Sequence, residues 1–421
     1  MQFGSYQNEI YLAALGGRVP EFPMEYGALE ARATAAMSES LFSYIAGGAG
    51  DETTQRRNVE AFEQWGLLPR MLVGAETPDL TVEAWGHTFA SPVFMAPVGV
   101  IGLCDRDRHG DIAVAQASAQ TGVPAMFSTL MEDPLEDVVP HAGDVPSFFQ
   151  LYTPKNRDLA ESFVKRAEAA GYRGITVTLD TWVPGWRPRD LSTGNFPQLR
   201  GQVLKNYTSD PVFRDLVGSD DPQLTVLHWV QTFGNSLTWA DLDWLRSLTT
   251  LPIVLKGISH PEDARRAIDA GVDGIYCSNH GGRQANGGIA ALETLPAVVE
   301  ACDDRVPVLF DSGVRSGSDV VKALGLGATM VGIGRPYVYG LAMGGVPGLV
   351  HVLRMLLAEA ELLMGVNGYP TSPRYARTSV AWAPRSFDGK ADSASWGGLP
   401  RPHDAVSVVR LRGGDQVAVD V

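Results

Sequence analysis

The segment Ser278-Asn279-His280-Gly281-Gly282-Arg283-Gln284 places a proton acceptor three residues before a cationic side chain. An imidazole with an ordinary pKa of about 6.5 can accept a proton at neutral pH, so His280 is a candidate general base. The guanidinium of Arg283 can hold a carboxylate through two parallel hydrogen bonds. With two glycines between them, both side chains can face one small ligand. The pattern predicts proton abstraction from a small acid.

Lys256 ends the apolar run Ile253-Val254-Leu255-Lys256. A lysine at the end of a buried strand carries a large desolvation cost unless it meets a negative partner. Turn-forming, small and polar residues follow other apolar runs in the same way. They are Pro97, Val98, Gly99, Ser128, Gln150, Tyr152, Thr178, Ser278, Asp311, Ser312, Gly313, Gly334 and Arg335. Ser128 or Thr178 alone would be an ordinary turn residue, but together the positions predict one site.

Two glycine-containing segments late in the chain are candidates for binding a phosphate. They are Asp311-Ser312-Gly313-Val314-Arg315 and Gly332-Ile333-Gly334-Arg335-Pro336. Small residues after a strand let backbone N–H groups approach a phosphate, and Arg315 and Arg335 add positive charge. The alternative is a pair of tight connections between elements. In a barrel, the loops after the seventh and eighth strands often bind phosphate, and both segments fall at these positions. This placement favours a phosphate site over simple connections.

Eight short apolar runs must position these residues. They begin near Val93, Ala125, Ser147, Ile175, Ile253, Gly274, Val308 and Thr329. Uninterrupted apolar character is typical of strands buried on both faces of a parallel sheet. Helical patterns such as Asp158–Ala170, Pro261–Ala270 and Gly317–Leu326 lie between them. Alternating strands and helices predict an α/β fold, a (β/α)8 TIM barrel. A doubly wound sheet is the rival, but the Gly-x-Gly-x-x-Gly turn typical of it is absent.

The barrel is expected to span residues 92–366, after an N-terminal helical segment at residues 1–91. The connection between the fourth and fifth strands is much longer than the others. We expect residues 187–240, here called the lid segment, to be either a lid over the catalytic face or disordered. Residues 367–421 are rich in Ser, Arg, Pro and Gly, and we expect a loosely ordered C-terminal tail.

The composition excludes several classes of protein. Forty-eight acidic residues against 34 basic ones leave a formal charge of −14, which disfavours nucleic acid and anionic lipid as partners. Three cysteines without a Cys-x-x-Cys pair indicate a reducing compartment, and we expect a cytoplasmic protein without a membrane span. His109 lies near Asp105 and Asp107, but a solvated helix start explains this group better than a metal site.

The segments at 278–284, 311–315 and 332–336 resemble the FMN-dependent α-hydroxy acid oxidase family. Gln150-Leu151-Tyr152 and Leu179-Asp180-Thr181 fit the same family, and the resemblance runs from about Tyr6 to Tyr369. It is closest to the lactate 2-monooxygenase branch of that family. The motifs behind this are Tyr44-Ile45-Ala46-Gly47-Gly48, Asp180-Thr181-Trp182, Gly185-Trp186-Arg187-Pro188-Arg189-Asp190 and the Gly99 position.

The resemblance implies a role for each matching residue. The base would be His280. The hydroxy acid would be bound by Tyr44, Tyr152, Arg187 and Arg283. The flavin ring and ribityl chain would be held by Pro97, Val98, Gly99, Ser128, Gln150, Thr178 and Lys256. The ribityl chain and phosphate would be held by Asp311, Ser312, Gly313, Val314, Arg315, Gly334 and Arg335. The family tends to form tetramers or octamers.

The implied reaction is oxidation of L-lactate by O2, with pyruvate retained and converted to acetate, CO2 and water. Gly99 is expected to leave a methyl-sized space above the flavin that favours this outcome. One alternative is an oxidase that releases the 2-oxo acid and hydrogen peroxide, and a dehydrogenase using a quinone or cytochrome is less favoured. An alternative of another class is a catalytically silent FMN- or metabolite-binding barrel, against which Tyr44, His280 and Arg283 argue. The chain departs from the family after Gly368-Tyr369, where a short helical segment is expected.

Overall fold

The computed structural model describes residues 2–371 and 380–382, and its centre is a sheet of eight parallel strands. The strands are β1 (Val93–Met95), β2 (Met126–Ser128), β3 (Phe148–Leu151), β4 (Ile175–Thr178), β5 (Ile253–Ile258), β6 (Gly274–Cys277), β7 (Val308–Phe310) and β8 (Met330–Ile333). Each strand pairs with the next from β2 to β8, and β8 pairs with β1. A parallel bridge between Met95 and Ala125 closes the ring. The predicted (β/α)8 barrel is confirmed.

Alternate strand residues fill the interior of the barrel. Phe94 and Tyr276 meet edge to face at 5.4 Å, in a buried cluster that also contains residues of five other strands of the barrel. A hairpin of two strands, Val82–Ala84 and His87–Phe89, belongs to this cluster, and its Trp85 packs against Phe148 at 5.2 Å. The barrel is therefore a packed core whose functional surface lies at one end.

Helices cover the outside of the barrel, and polar side chains cap several of their starts. The α-helices that follow strands of the barrel are Ile101–Cys104, Gly110–Thr121, Leu135–Val138, Arg157–Ala170, Pro261–Asp269, Ala291–Cys302, Gly317–Gly325 and Arg335–Val366. The Asn156 side chain accepts the Leu159 N–H at 2.9 Å, and Ser316 forms a capping box with Asp319. These caps satisfy donors at helix starts that would otherwise have no partner.

The N-terminal segment mixes helices with strands, where the sequence predicts helices alone. Its helices are Ser5–Leu15, Tyr26–Ala36, Glu39–Ala46, Thr53–Glu60 and the 3-10 helix Ala61–Gln64. Its strands are Trp65–Leu67, Val82–Ala84 and His87–Phe89. Three-residue strands are too short to show a period in the sequence, which is why the pattern misses them.

Short helices make up most of the lid segment. They are Pro188–Thr193, Pro197–Arg200, Lys205–Thr208, Pro211–Val217, Pro222–Thr232 and Trp239–Asp241, with Leu242–Leu248 after them. The Asn206 side chain, fully buried, donates to the Thr129 carbonyl at 3.0 Å and accepts the Leu135 N–H at 2.8 Å. These bonds tie the middle of the lid segment to the loop after β2.

The last helix, Arg335–Val366, is interrupted at Gly344 and Gly345, the second of which has φ +59°. It is long and apolar enough to cross a membrane, but 67% of its most apolar window is buried. It packs against the helices Gly110–Thr121, Gly317–Gly325 and Tyr26–Ala36. Its apolar character is thus that of a core helix.

The start of the predicted tail belongs to the folded part of the chain. Tyr369 is 3% exposed, and Val380–Trp382 pairs antiparallel with Trp65–Leu67. The expectation of a loosely ordered tail otherwise falls on residues 372–379 and 383–421, which lie outside the described residues.

Candidate active site

One cavity opens at the carboxyl ends of the strands and gathers most of the predicted site. The predicted residues that line it are Tyr44, Pro97, Val98, Gly99, Tyr152, Arg187, Lys256, His280, Arg283, Asp311, Ser312, Gly313, Val314, Arg315, Gly334 and Arg335. Residues distributed over the chain thus meet at one place. The remaining three, Ser128, Gln150 and Thr178, lie at the ends of their strands and are buried.

His280 lies in a left-handed turn directly after β6. Its φ is +58°, and Gly281 and Gly282 follow with φ values of +64° and +74°. Such a run is accessible to glycine and unusual for other residues, which explains the paired glycines in the sequence. His280 Nδ1 lies 2.9 Å from Asp180 Oδ1 and 3.1 Å from Thr181 Oγ1. The turn and these contacts fix the ring, so that Nε2 is the nitrogen left for a ligand.

The charges and burial around His280 and Asp180 suit a role of His280 as a base. Burial lowers the pKa of His280, and the charges of Lys256 and Arg187 act in the same direction, against Asp180, which raises it. Burial opposes ionisation of Asp180, yet the charges of His280 and Lys256 hold the pKa of that carboxyl below its usual range. Free imidazole beside an ionised carboxylate can accept a proton and then be stabilised as imidazolium.

Lys256, at the end of β5, meets the negative partner that its burial requires. Only 2% of the residue is exposed, and its Nζ donates to Ser278 Oγ at 3.0 Å and lies 3.9 Å from Asp311 Oδ2. Asp311 also accepts from Tyr276 OH at 2.8 Å and from Ser278 at 2.5 Å. The ammonium is held in place while it still lines the cavity.

Two arginines that line the cavity flank the ring of Tyr44. The guanidinium carbons of Arg283 and Arg187 lie 5.1 and 5.6 Å from the ring centroid. Arg187 Nε donates to the Arg283 carbonyl at 3.1 Å, and its Nη2 donates to Gln284 at 2.7 Å. Burial and then repulsion from Arg187 and Arg335 lower the pKa of Arg283 to about 9. Crowded cations that remain charged at neutral pH favour an anionic ligand.

The strand-end residues next to the cavity fit the flavin ring that the sequence leads us to expect. Gln150 is fully buried and its Oε1 accepts from Ser128 Oγ at 3.0 Å, but its Nε2 has no partner among the described residues. Thr178 Oγ1 is also buried without a partner there. Buried polar atoms are seldom left unsatisfied, and a ring with carbonyl and imide groups provides partners for both.

The part of the same cavity that is lined by Gly313, Arg315, Gly334 and Arg335 fits a phosphate. Gly313 has φ +96°, and a Cβ there would lie 2.3 Å from the Asn58 carbonyl oxygen, so only glycine is accommodated. A Cβ at Gly334 would meet nothing within 4 Å, which leaves open space beside its backbone. Both arginines add positive charge there, and repulsion from Arg315 adds to burial in lowering the pKa of Arg335 to about 10. An elongated cofactor with a terminal phosphate suits this cavity.

Sequence reasoning assigned no role to several residues that complete the site. Asp180 lies two residues after the end of β4, so the rule that selected the other strand-end residues could have selected it too. The lid segment contributes Phe196, Gln198, Trp229 and Phe233 to the wall of the cavity. Gln198 and Trp229 lie in short helices, while Phe196 precedes one and Phe233 follows another, so no long periodic pattern marks them.

The comparisons with known proteins agree with this geometry. The family model for FMN-dependent dehydrogenases matches residues 33–381. An FMN-dependent alpha-hydroxy acid dehydrogenase of Penicillium citrinum is 40% identical over 88% of this chain and 94% of its own length. An L-lactate oxidase of Lysinibacillus sphaericus is 39% identical over 82% and 90%. The crystal structure of a Pediococcus acidilactici lactate oxidase is 35% identical and covers 86% of this chain and 95% of its own, with TM-score 0.76. The chain therefore belongs to the FMN-dependent α-hydroxy acid oxidase and dehydrogenase family, and its cofactor is FMN.

Proposed function

We propose that this protein oxidises L-lactate with O2 and retains the pyruvate for oxidative decarboxylation to acetate, CO2 and water. The observation that carries the choice of a small acid is the aromatic wall above the site. Rings of Tyr44, Phe196, Trp229, Phe233 and Tyr152 follow one another at centroid distances of 6.4, 6.3, 5.0 and 5.4 Å. A wall of contiguous rings leaves room for a short side chain and keeps water out.

In this proposal Arg187 and Arg283 hold the substrate carboxylate, and Tyr44 and Tyr152 complete its binding site. His280 Nε2 takes the proton of the α-hydroxyl, while Asp180 stabilises the imidazolium that results. FMN, when bound, supplies the acceptor for the two electrons of the substrate. Lys256 places a positive charge beside the site where negative charge develops. Burial of Ser128, Gln150 and Thr178 gives the cofactor a dry and fixed surface.

Gly99 bears on the fate of pyruvate, in a way that differs from the sequence-based expectation of an open methyl-sized space. A Cβ at Gly99 would lie 3.2 Å from Leu130 Cβ and 3.4 Å from Ser128 Oγ. An alanine would therefore press on Leu130, which lines the cavity. We expect Gly99→Ala to push Leu130 inward and to shift products from acetate towards pyruvate and peroxide. Unchanged acetate yield and unchanged reoxidation would leave Gly99 as a turn residue only.

The proposal is tested by product analysis of the purified flavoprotein supplied with L-lactate in air. Acetate and CO2, formed in equal amounts with one O2 consumed, are the expected products. Catalase must be present in one parallel reaction, because peroxide decarboxylates pyruvate without an enzyme. Acetate formed only when catalase is omitted would contradict the retained-pyruvate step.

A second candidate function is an oxidase that releases pyruvate and hydrogen peroxide. The relatives named L-lactate oxidase, at 39% identity, favour it. Stoichiometric peroxide and pyruvate in the same assay would select this alternative and would leave the roles of Arg187, His280 and Arg283 unchanged.

A further inference from the structure

Gln198 presents an unsatisfied amide to the substrate end of the cavity. It lies in the 3-10 helix Pro197–Arg200 of the lid segment, is fully buried, and lines the cavity. Its Nε2 donates to Tyr44 OH over a long 3.5 Å, and its Oε1 has no hydrogen-bond partner among the described residues. Leaving a buried amide oxygen without a donor destabilises the protein, so a ligand that donates to this oxygen is favoured.

No donor of the neighbouring side chains that the structure describes is bonded to this oxygen of Gln198. The other lid residues that line the cavity are Arg187 and the rings of Phe196, Trp229 and Phe233, and Leu130 adds an apolar side chain from the barrel. A polar group placed in an apolar wall is typical of a specificity contact, because it orients ligands that can pair with it and rejects those that cannot.

The substituents of the substrate identify which part of it reaches this wall. The α-carbon of a 2-hydroxy acid carries a carboxylate, a hydroxyl, a hydrogen and a side chain. Arg187 and Arg283 hold the carboxylate and His280 takes the hydroxyl proton in the proposed mechanism, while the hydrogen must face the cofactor. The side chain is then left for the remaining wall, which the lid segment provides.

We infer that Gln198 accepts a hydrogen bond from a hydroxyl group on C3 of the acid, so that the site takes 2,3-dihydroxy acids of the glycerate class. This inference rests on the proposed function, since it places the substrate by the roles of Arg187, Arg283 and His280. It predicts a preference between two acids of nearly equal size. L-Glycerate carries a hydroxyl where L-2-hydroxybutyrate carries a methyl group, and only the former can donate to Gln198.

The experiment measures kcat/KM for both acids with the FMN-loaded wild-type enzyme and with Gln198→Met. Methionine has nearly the same length and no amide. One net hydrogen bond in a buried site predicts that the ratio of glycerate to 2-hydroxybutyrate falls by about tenfold in Gln198→Met. Gln223→Met is the matched control, because Gln223 is exposed on the lid helix Pro222–Thr232 and does not line the cavity.

Two results would overturn the inference. One is an unchanged ratio in a Gln198→Met enzyme that still binds FMN and oxidises lactate. The other needs no variant and so holds even if Gln198→Met does not fold: a wild-type enzyme that uses 2-hydroxybutyrate as well as glycerate or better. A wild-type enzyme that oxidises none of lactate, glycerate and 2-hydroxybutyrate would instead contradict the proposed function.

Discussion

The strand ends of the barrel and the lid segment face the same cavity with different chemistry. At the strand ends, ionisable groups are held by one another: His280 lies 2.9 Å from Asp180, and Lys256 lies 3.9 Å from Asp311. The lid segment contributes mainly apolar rings and the amide of Gln198, with Arg187 as its cation. Groups that must keep their geometry through proton transfer stand on the sheet, whereas groups that contact the substrate side chain stand on short helices.

This division between the strand ends and the lid segment shows how one barrel can keep its reaction while its substrate changes. A change at the strand ends should alter the rate for every acid, while a change among the aromatic and amide side chains of the lid segment should alter the ranking of acids. The middle of the lid segment is itself held down, since Glu132 accepts the Val203 N–H at 2.6 Å and Asn206 is fully buried. We therefore expect different effects from substitutions at the strand ends and in the lid segment.

The largest effect is expected from His280→Ala. Loss of a general base costs about 10²–10⁴-fold, so reduction of the flavin by lactate should slow by that factor while bound FMN is retained. Stopped-flow absorbance at the flavin band measures the reduction rate, and the cofactor content follows from the spectrum. His141→Ala is the control, because His141 is exposed and remote from the cavity. An unchanged reduction rate would remove His280 from the mechanism.

A smaller rate loss, with a displaced pH profile, is expected from Asp180→Asn. The carboxylate raises the pKa of His280, so its removal should lower that pKa further and move the acid limb of kcat/KM to lower pH. The rate should fall by about a hundredfold, because the imidazolium loses its stabilising charge. Asp158→Asn, on the outer helix Arg157–Ala170, is the control. A limb that stays in place or moves to higher pH would contradict the assigned coupling.

The sequence predicted the strand-end region better than the lid for a physical reason. Buried parallel strands are continuous apolar runs, so the residues that follow them can be read off directly, as with Lys256 and Asp311. Asp180 obeys the same rule and was identifiable. Gln198 and Trp229 reach the cavity only because short helices fold over it. Neither the types of these residues nor their spacing in the sequence predicts that they line the cavity.

A change of substrate ranking is expected from Trp229→Leu in the lid segment. Trp229 is 2% exposed and packs between Phe196 and Phe233, so a smaller side chain should open the wall to longer acids. Room for an added methylene is worth about tenfold or more, so kcat/KM for L-2-hydroxyoctanoate should rise by at least that factor relative to L-lactate. Trp186→Leu is the control, since Trp186 is 73% exposed and lies outside the cavity. An equal loss of kcat/KM for all acids would contradict the assignment of substrate ranking to the lid segment.

The smallest effect, on stability alone, is expected from removing the end of the chain. Val380–Trp382 pairs with Trp65–Leu67, in register Trp65 with Trp382 and Leu67 with Val380. The match to the family model also ends within this strand, at residue 381. A chain ending after Ala383 keeps the pairing, and a chain ending after Pro373 loses it. Neither strand lines the cavity, so both chains should bind FMN and oxidise lactate with unchanged kcat.

The two truncated chains should differ in thermal unfolding. Loss of the pairing strand frees backbone groups of Trp65–Leu67, at a cost of about 1 kcal/mol, which lowers Tm by roughly 1–3 °C in a domain of this size. Differential scanning calorimetry of both chains, loaded with FMN, measures the difference against the full chain. Equal Tm values would show that the strand adds nothing to stability. Loss of FMN or of lactate oxidation after truncation at Ala383 would be the more serious result, because it would make residues 384–421 part of the site that the barrel and the lid segment form between them.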